Sequence, residues 1–100
     1  MALIRVTASD IRSKKEQLLE LNNQFKTQVR ELESSEGTLN SQWDGAANDA
    51  FHKAFMNDKN YMDQFYNLIL KYCDALEQIA AKYEQAEAAN ENTATTRTAR

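Results

Sequence analysis

The stretch Ser41-Gln42-Trp43-Asp44-Gly45-Ala46 lies near the middle of a chain of 100 residues and contains one of its two glycines. The chain has no proline, so little interrupts regular structure on either side of this stretch. Glycine can adopt backbone conformations that are closed to other residues, and Asp44 can cap a helix that follows it. The large ring of Trp43 can fill the gap where two helices diverge. The stretch therefore predicts a turn over residues 41–46 between two long helices.

The residues before the turn predict a first helix over about residues 8–40. Large apolar residues recur there every seven positions, which gives a narrow apolar seam on one face of the helix. Thr7 or Ser9 can cap the helix, and Asp10 with Thr7 forms a pair like a capping box. The seam consists of Ile11, Leu18, Phe25, Leu32 and Leu39, with Leu21 and Val29 at intermediate positions.

The residues after the turn predict a second helix over about residues 46–89. Its apolar residues form two rows that together cover roughly 160° of the circumference, which is wider than the ~100° stripe of a surface helix. One row contains Ala47, Ala50, Phe51, Ala54, Phe55, Tyr61, Phe65, Leu68, Tyr72, Leu76, Ile79 and Tyr83, and the other contains Met62, Tyr66, Ile69, Cys73 and Ala80.

The narrow seam of the first helix cannot cover this wide stripe, so we expect a second copy or another helical protein to bury the remainder. The residues that we expect at a dimer interface are Phe51, Phe55, Met62, Tyr66, Ile69 and Cys73. The helical hairpin is predicted to occupy residues 1–90. No large apolar side chain follows Asn90, so residues 91–100 are predicted to form a disordered tail.

The charge balance excludes several classes of partner. Twelve basic and fifteen acidic residues give a net charge of -3, and no basic cluster exceeds Lys14-Lys15. Nucleic acids and anionic membranes call for a basic stripe, so neither is an expected partner. No segment has the apolar length of a signal peptide core or a membrane span. If the protein leaves the cytoplasm, we expect no ordinary cleaved signal.

The sequence offers no set of residues for catalysis, metal binding or a cofactor, so we do not expect an enzyme. The single histidine, His52, lies opposite the middle of the apolar stripe on a helical wheel and is predicted to be a solvated surface residue. The single cysteine, Cys73, is either a small buried apolar residue or a thiol near an interface that could pair with its copy. One cysteine and one histidine do not form a nucleophile, base and orienting group.

The central triplet Trp43-Asp44-Gly45 and the run over residues 46–55 resemble the Trp-X-Gly (WXG) family of about 100 residues. Members of this family are early-secreted-antigen-like substrates of type VII (ESX) secretion. The resemblance covers nearly the whole chain and implies an all-α fold, a hairpin of two long antiparallel helices that pairs as a dimeric four-helix bundle. The partner would be a second copy or a sister WXG protein, and export would occur in the folded state without a cleaved signal.

The resemblance also implies a two-part export signal that a type VII secretion ATPase reads. The first part is the turn Trp43-Asp44-Gly45, and the second is a Tyr-x-x-x-Asp/Glu motif that Tyr83 and Glu87 match. These two residues stand at i and i+4 on one helical face, where a groove on the ATPase can bind them. The alternative is that Tyr83 is the last core residue of the helix and Glu87 a solvated charge.

The leading hypothesis is therefore a small exported protein that acts by dimerisation and binding, as a secreted effector or adaptor. A homodimer suffices, because one chain holds both parts of the signal. The alternative keeps the hairpin but makes it a cytoplasmic partner or targeting chaperone for the helical domain of a larger type VII-secreted toxin. A third possibility is an unrelated intracellular coiled-coil or bundle module in which the Trp-X-Gly triplet is coincidental.

Overall fold

The computed structural model describes the backbone of residues 6–98 and the side chains of residues 6–91. Over these residues the chain forms two helices, α1 (Ala8–Gln42) and α2 (Ala46–Thr98), which pack against each other as an elongated hairpin of 83 × 25 × 16 Å. The all-α class and the hairpin are therefore confirmed. Neither helix contains, within the described part of the chain, a stretch that is long and apolar enough to cross a membrane.

The start of α1 has the capping box that the sequence predicts. The Asp10 amide donates to Oγ1 of Thr7 at 3.1 Å, and the Thr7 amide donates to Oδ2 of Asp10 at 3.2 Å. The two bonds satisfy amides that have no partner inside the helix, and the Asp10 carboxylate lies near the positive end of the helix dipole. The amino-terminal end of α1 is thus well defined.

The turn between the helices is shorter than predicted, because only residues 43–45 lie outside the helices. Gly45 has a φ of +120°, and its carbonyl accepts from the Asp49 amide at 3.1 Å, so Gly45 occupies the capping position of α2. The prediction that Asp44 caps α2 is wrong. Asp44 lies one residue too early, and among the described side chains its carboxylate accepts no hydrogen bond from an α2 amide.

The contact between the helices is narrow and partly polar. The most enclosed residues of α1 recur every seven positions and form what we call the inner row: Ala8, Lys15, Asn22, Val29 and Glu36. Apart from Val29, which belongs to both, the predicted apolar seam lies beside this row. The five seam residues with a spacing of seven each follow an inner-row residue by three positions, which turns them about 60° around the helix axis. Leu32 and Leu39 of the seam are consequently exposed.

At its carboxyl-terminal end, α2 is longer than the sequence predicts. The backbone is helical as far as Thr98, whereas a disordered tail was expected from residue 91. No proline or glycine occurs between residues 91 and 98, and an existing helix extends without a new nucleation cost. Residues 99–100, which belong to the same predicted tail, lie outside the described residues.

Candidate functional site

One long side of the hairpin carries exposed apolar side chains from both helices, and we call it the apolar face. Its exposed members are Leu21, Leu32 and Leu39 of α1 and Phe51, Tyr61, Phe65, Leu68, Tyr72, Ile79 and Tyr83 of α2, and the half-buried Phe25 of α1 lies beside them. The rings of Phe25 and Phe65 meet edge to face with centroids 5.5 Å apart, which places the two helices' contributions on the same side. Contiguous exposed apolar surface of this kind typically marks a protein interface.

The opposite side of the hairpin carries paired charges, and we call it the charged edge. Arg12, Lys26 and Glu33 each follow an inner-row residue by four positions, so they turn about 40° away from the seam side. The members of the edge are Arg12, Lys26 and Glu33 of α1 and Lys59, Asp63, Glu77 and Glu84 of α2. The ammonium of Lys26 lies 4.5 Å above the ring of Tyr66.

Two basic residues organise the charged edge, and each bridges two carboxylates. Arg12 donates to Glu77 at 2.9 Å and also to Glu84. Lys59 lies 3.1 Å from Glu33 and 3.2 Å from Asp63. Hydrogen bonds to Glu84 and then Glu77 raise the pKa of Arg12, and hydrogen bonds to Glu33 and then Asp63 raise the pKa of Lys59.

Glu77 is a carboxylate of the charged edge with two basic partners. Hydrogen bonds from Arg12, then from Lys15 at 3.1 Å, lower the pKa of Glu77. Hydrogen bonds to Glu16 and then Glu77 raise the pKa of Lys15. These shifts arise from partners that neutralise one another, which is typical of a structural ion-pair network.

The turn end of the hairpin contains buried polar contacts. The side chain of Glu36 is only 5% exposed, and its Oε1 lies 2.6 Å from Nδ1 of His52. The His52 side chain is 40% exposed, so its predicted surface position is correct, but the ring is not fully solvated because it contacts Glu36. The helical wheel was centred on the apolar stripe of α2, but the middle of that stripe does not face α1. One turn away, the side-chain amide of Asn48 donates from Nδ2 to Oδ1 of Asn40 at 2.8 Å.

The residues predicted for a dimer interface do not all lie on the apolar face. Cys73 is 2% exposed, and its Sγ lies 3.9 Å from the carbonyl oxygen of Lys15, so it packs inside the hairpin. Its environment is that of a small buried apolar residue, as the first of the two sequence-based interpretations expects. Of the others, Phe51 is exposed, and the half-buried ones are Phe55, Met62, Tyr66 and Ile69.

The two predicted motifs lie at opposite ends of the hairpin. The Trp43 ring is partly exposed and contacts Phe51, with ring centroids 6.1 Å apart. Tyr83 is 44% exposed at the other end, on the apolar face. α1 separates the two ends by about 50 Å at 1.5 Å per residue, so one chain does not bring the motifs together.

Glu87, the second residue of the carboxyl-terminal motif, contacts the start of α1. Its Oε1 accepts from the Ala8 amide at 3.0 Å. The sequence gives no sign of this contact, because every residue except proline carries a backbone amide. Glu87 is exposed, as the alternative of a solvated charge expects, but one of its carboxylate oxygens is engaged within the hairpin.

The described residues contain no group of three or more His, Cys, Asp or Glu side chains that could hold a metal ion. A cleft on the charged edge lies beside Lys26 and Lys59 and is open to solvent. Both lysines already contact other side chains, Tyr66 in the first case and Glu33 and Asp63 in the second. The arrangement therefore favours binding through a surface over chemistry in a pocket.

Comparison with known proteins gives one family match and several similar structures. Residues 3–88 match the family described as WXG100, proteins of 100 residues with WXG. The selenomethionine-labelled structure of the secreted protein EsxB from Bacillus anthracis str. Sterne is 24% identical, with a TM-score of 0.76 over 87% of this chain and 99% of EsxB. Wild-type EsxB in the P21 space group is 25% identical, with a TM-score of 0.75 over 84% of this chain and 97% of EsxB. No curated protein sequence matches.

Proposed function

Because this chain belongs to the family of WXG100 proteins, proteins of 100 residues with WXG, we propose that it is a small non-enzymatic protein exported by a type VII secretion system. It is made in the cytoplasm, leaves the cell without a cleaved signal peptide, and acts by dimerisation and protein binding as a secreted effector or adaptor. The similar fold of EsxB, a secreted protein, supports export. The apolar face supports binding as the activity.

The apolar face is the observation that carries this proposal. Ten of its large side chains are 44–64% exposed in a single chain. At about 80 Å² of exposed surface each, they present roughly 800 Å², which equals one partner's share of a standard protein interface. Burying this area stabilises an assembly by the hydrophobic effect, whereas leaving it in water promotes aggregation.

A second copy is the partner that best fits the positions of the motifs. In an antiparallel pair, the turn of one copy lies near the carboxyl-terminal motif of the other, so both parts of the signal come together twice in one four-helix bundle. Trp43 with Gly45 would then supply one part and Tyr83 with Glu87 the other, for recognition by the secretion ATPase. We therefore favour a homodimer over a pair with a sister WXG protein.

The exposures refine the predicted interface. Phe51 keeps its place, with Phe55 at the margin, and four more exposed residues join them from the apolar face: Phe65, Tyr72, Ile79 and Leu21. The half-buried Met62 and Ile69 would lie at the boundary between the hairpin interior and the dimer contact. Tyr66 and Cys73 pack against α1 instead.

Export of single variants from the host tests the signal. Trp43→Ala and Tyr83→Ala should accumulate inside the cell as folded protein and be absent from the medium. Leu70→Ala is the matched control, since Leu70 is a partly exposed apolar residue of α2 that belongs to neither motif, and it should reach the medium normally. If both motif variants are folded and exported at wild-type levels, the signal assignment is wrong.

A cytoplasmic partner or targeting chaperone for a larger type VII-secreted toxin is the second candidate. The same apolar face supports it, because exposed apolar area fits a helical domain of another protein as well as a second copy. Light scattering on the purified protein distinguishes the two. A stable dimer supports the homodimer, whereas a monomer that aggregates unless a neighbouring gene product is co-expressed supports the chaperone.

A further inference from the structure

The open end of the hairpin ties the start of α1 to the carboxyl-terminal motif of α2. We propose that these contacts form a clasp that partly masks Glu87 by occupying one of its carboxylate oxygens, so that the export receptor binds the whole carboxylate only after the clasp opens. The clasp consists of Ala8 and Arg12 of α1 with Glu77, Glu84 and Glu87 of α2. This inference rests on the proposed function, since it concerns regulation of the same signal.

The first contact of the clasp uses a backbone donor that α1 itself leaves free. The amide of Ala8, the first helical residue, has no acceptor inside the helix. The capping box engages the backbone amides of Thr7 and Asp10, so the Ala8 amide remains available as a donor. Oε1 of Glu87 accepts a hydrogen bond from it at 3.0 Å. A carboxylate at this end of a helix is also stabilised by the helix dipole. A receptor that binds both carboxylate oxygens of Glu87 must therefore replace an existing donor.

The second contact of the clasp is the bridge made by Arg12. Its guanidinium binds Glu77 and Glu84, which lie ten and three residues before Glu87 on α2. Residues three apart on a helix lie on the same face. The Arg12 bridge therefore holds the face of α2 that carries Glu87 against α1. Removing this bridge should weaken the contact between Ala8 and Glu87 without changing Tyr83 or Glu87.

The two residues of the motif are thus in different states. Both residues are exposed, but Tyr83 is free on the apolar face, whereas one carboxylate oxygen of Glu87 is bound to α1. Recognition of a helix in a groove needs both side chains on the receptor at once. Exposed ion pairs contribute little to stability, and helix ends open locally at small free-energy cost, so the clasp can open while the rest of the hairpin stays folded.

Arg12→Gln opens the clasp from the α1 side and leaves Tyr83 and Glu87 intact. Lys59→Gln is the matched control, because Lys59 bridges two carboxylates on the same edge but away from the motif. In the full-length protein, Arg12→Gln should raise amide hydrogen exchange at Ala8 and residues 84–87 by about two- to fivefold. Its affinity for the soluble domains of the host's type VII secretion ATPase should rise by a similar factor. Lys59→Gln should change neither quantity.

A second variant, Glu84→Gln, breaks the same bridge from the α2 side and should reproduce both effects. Unchanged exchange at Ala8 and residues 84–87 in both variants overturns the clasp. Faster exchange with weaker binding means that the contacts present the motif, which overturns masking. A third outcome is faster exchange in the variants, no binding of the ATPase by wild type or variants, and normal export of Tyr83→Ala. In that case the proposed function is wrong, and masking is wrong with it. The clasp contacts themselves would still be supported by the exchange data.

Discussion

On the charged edge of the hairpin, Arg12 and Lys59 each bridge two carboxylates, whereas on the apolar face Phe25 and Phe65 touch each other while Leu21 and Tyr61 remain more than half exposed. The same two helices form both sides. The charges find their partners within one chain, but the apolar side chains do not. The ion pairs of the charged edge therefore form within one chain, whereas most of the apolar face stays exposed in one chain.

The hairpin interior separates these two sides and adds little apolar burial of its own. Buried polar residues lie between the helices, and the Oδ1 atoms of Asn22 and Asn48 have no hydrogen-bond partner among the described residues. Unpaired buried polar atoms cost free energy. The proposed association would therefore add hydrophobic stabilisation that the interior of a single hairpin does not supply.

The largest expected effect comes from a charge on the apolar face. Tyr72→Lys should raise the dimer dissociation constant by at least about 100-fold, because an unpaired ammonium would be buried at the interface. Asn67→Lys adds the same charge at an exposed residue beside the cleft of the charged edge and should leave the dimer intact. Sedimentation equilibrium measures both constants. An unchanged dimer in Tyr72→Lys would exclude the apolar face as the interface.

A smaller effect is expected at the turn, which fixes how the two helices face each other. Gly45→Ala should lower the free energy of unfolding by about 1–3 kcal/mol, because φ of +120° is strained for alanine although no atom lies within 4 Å of the added Cβ. Gly37→Ala, inside α1 and equally free of contacts, should raise it by up to about 1 kcal/mol. Chemical denaturation checks both, and equal shifts of the same sign would contradict the backbone argument.

The smallest expected effect is the loss of stability at low pH that comes from the ion pairs of the charged edge. Arg12 and Lys15 lower the pKa of Glu77 in the folded protein, so this stabilisation is complete above the ordinary glutamate pKa and is lost as pH falls through the lowered value. Thermal melts at low salt should show a modest loss of stability from pH 6 to below pH 4. Glu77→Gln should reduce that loss, and Glu31→Gln, at an exposed position of α1, should not. Identical pH slopes in wild type and Glu77→Gln would refute this.

Local sequence signals predicted the helices, the capping box of Thr7 and Asp10, and the chain reversal near Gly45. Each depends on residues close together in the chain. The face of α2 that packs on α1 depends instead on distant pairs: Asn22 donates to the carbonyl oxygen of Tyr66, and Glu36 contacts His52. The residue types do not specify these pairs. A prediction based on the apolar stripe of α2 therefore misses the contact between His52 and Glu36.

The candidate site could be predicted only in part, because some of its features depend on local sequence and others on contacts between distant residues. The wide stripe of α2 indicated that a partner is needed, because its width depends only on composition and spacing. Which row remains exposed depends on the rotation of α2 about its axis, and Cys73 was therefore assigned to an interface although it packs inside the hairpin. The contact between Glu87 and Ala8 involves a backbone amide and leaves no trace in the pattern of side chains.

The helices differ in length, with 35 residues in α1 and 53 in α2. Because Ala8 packs at Glu87, residues 88–98 continue past the start of α1 as a single helix of about 16 Å. A two-fold antiparallel dimer would carry one such helix at each pole, pointing in opposite directions. A transport machine that grips one pole would then draw the rod lengthwise, with one copy leading and the other trailing.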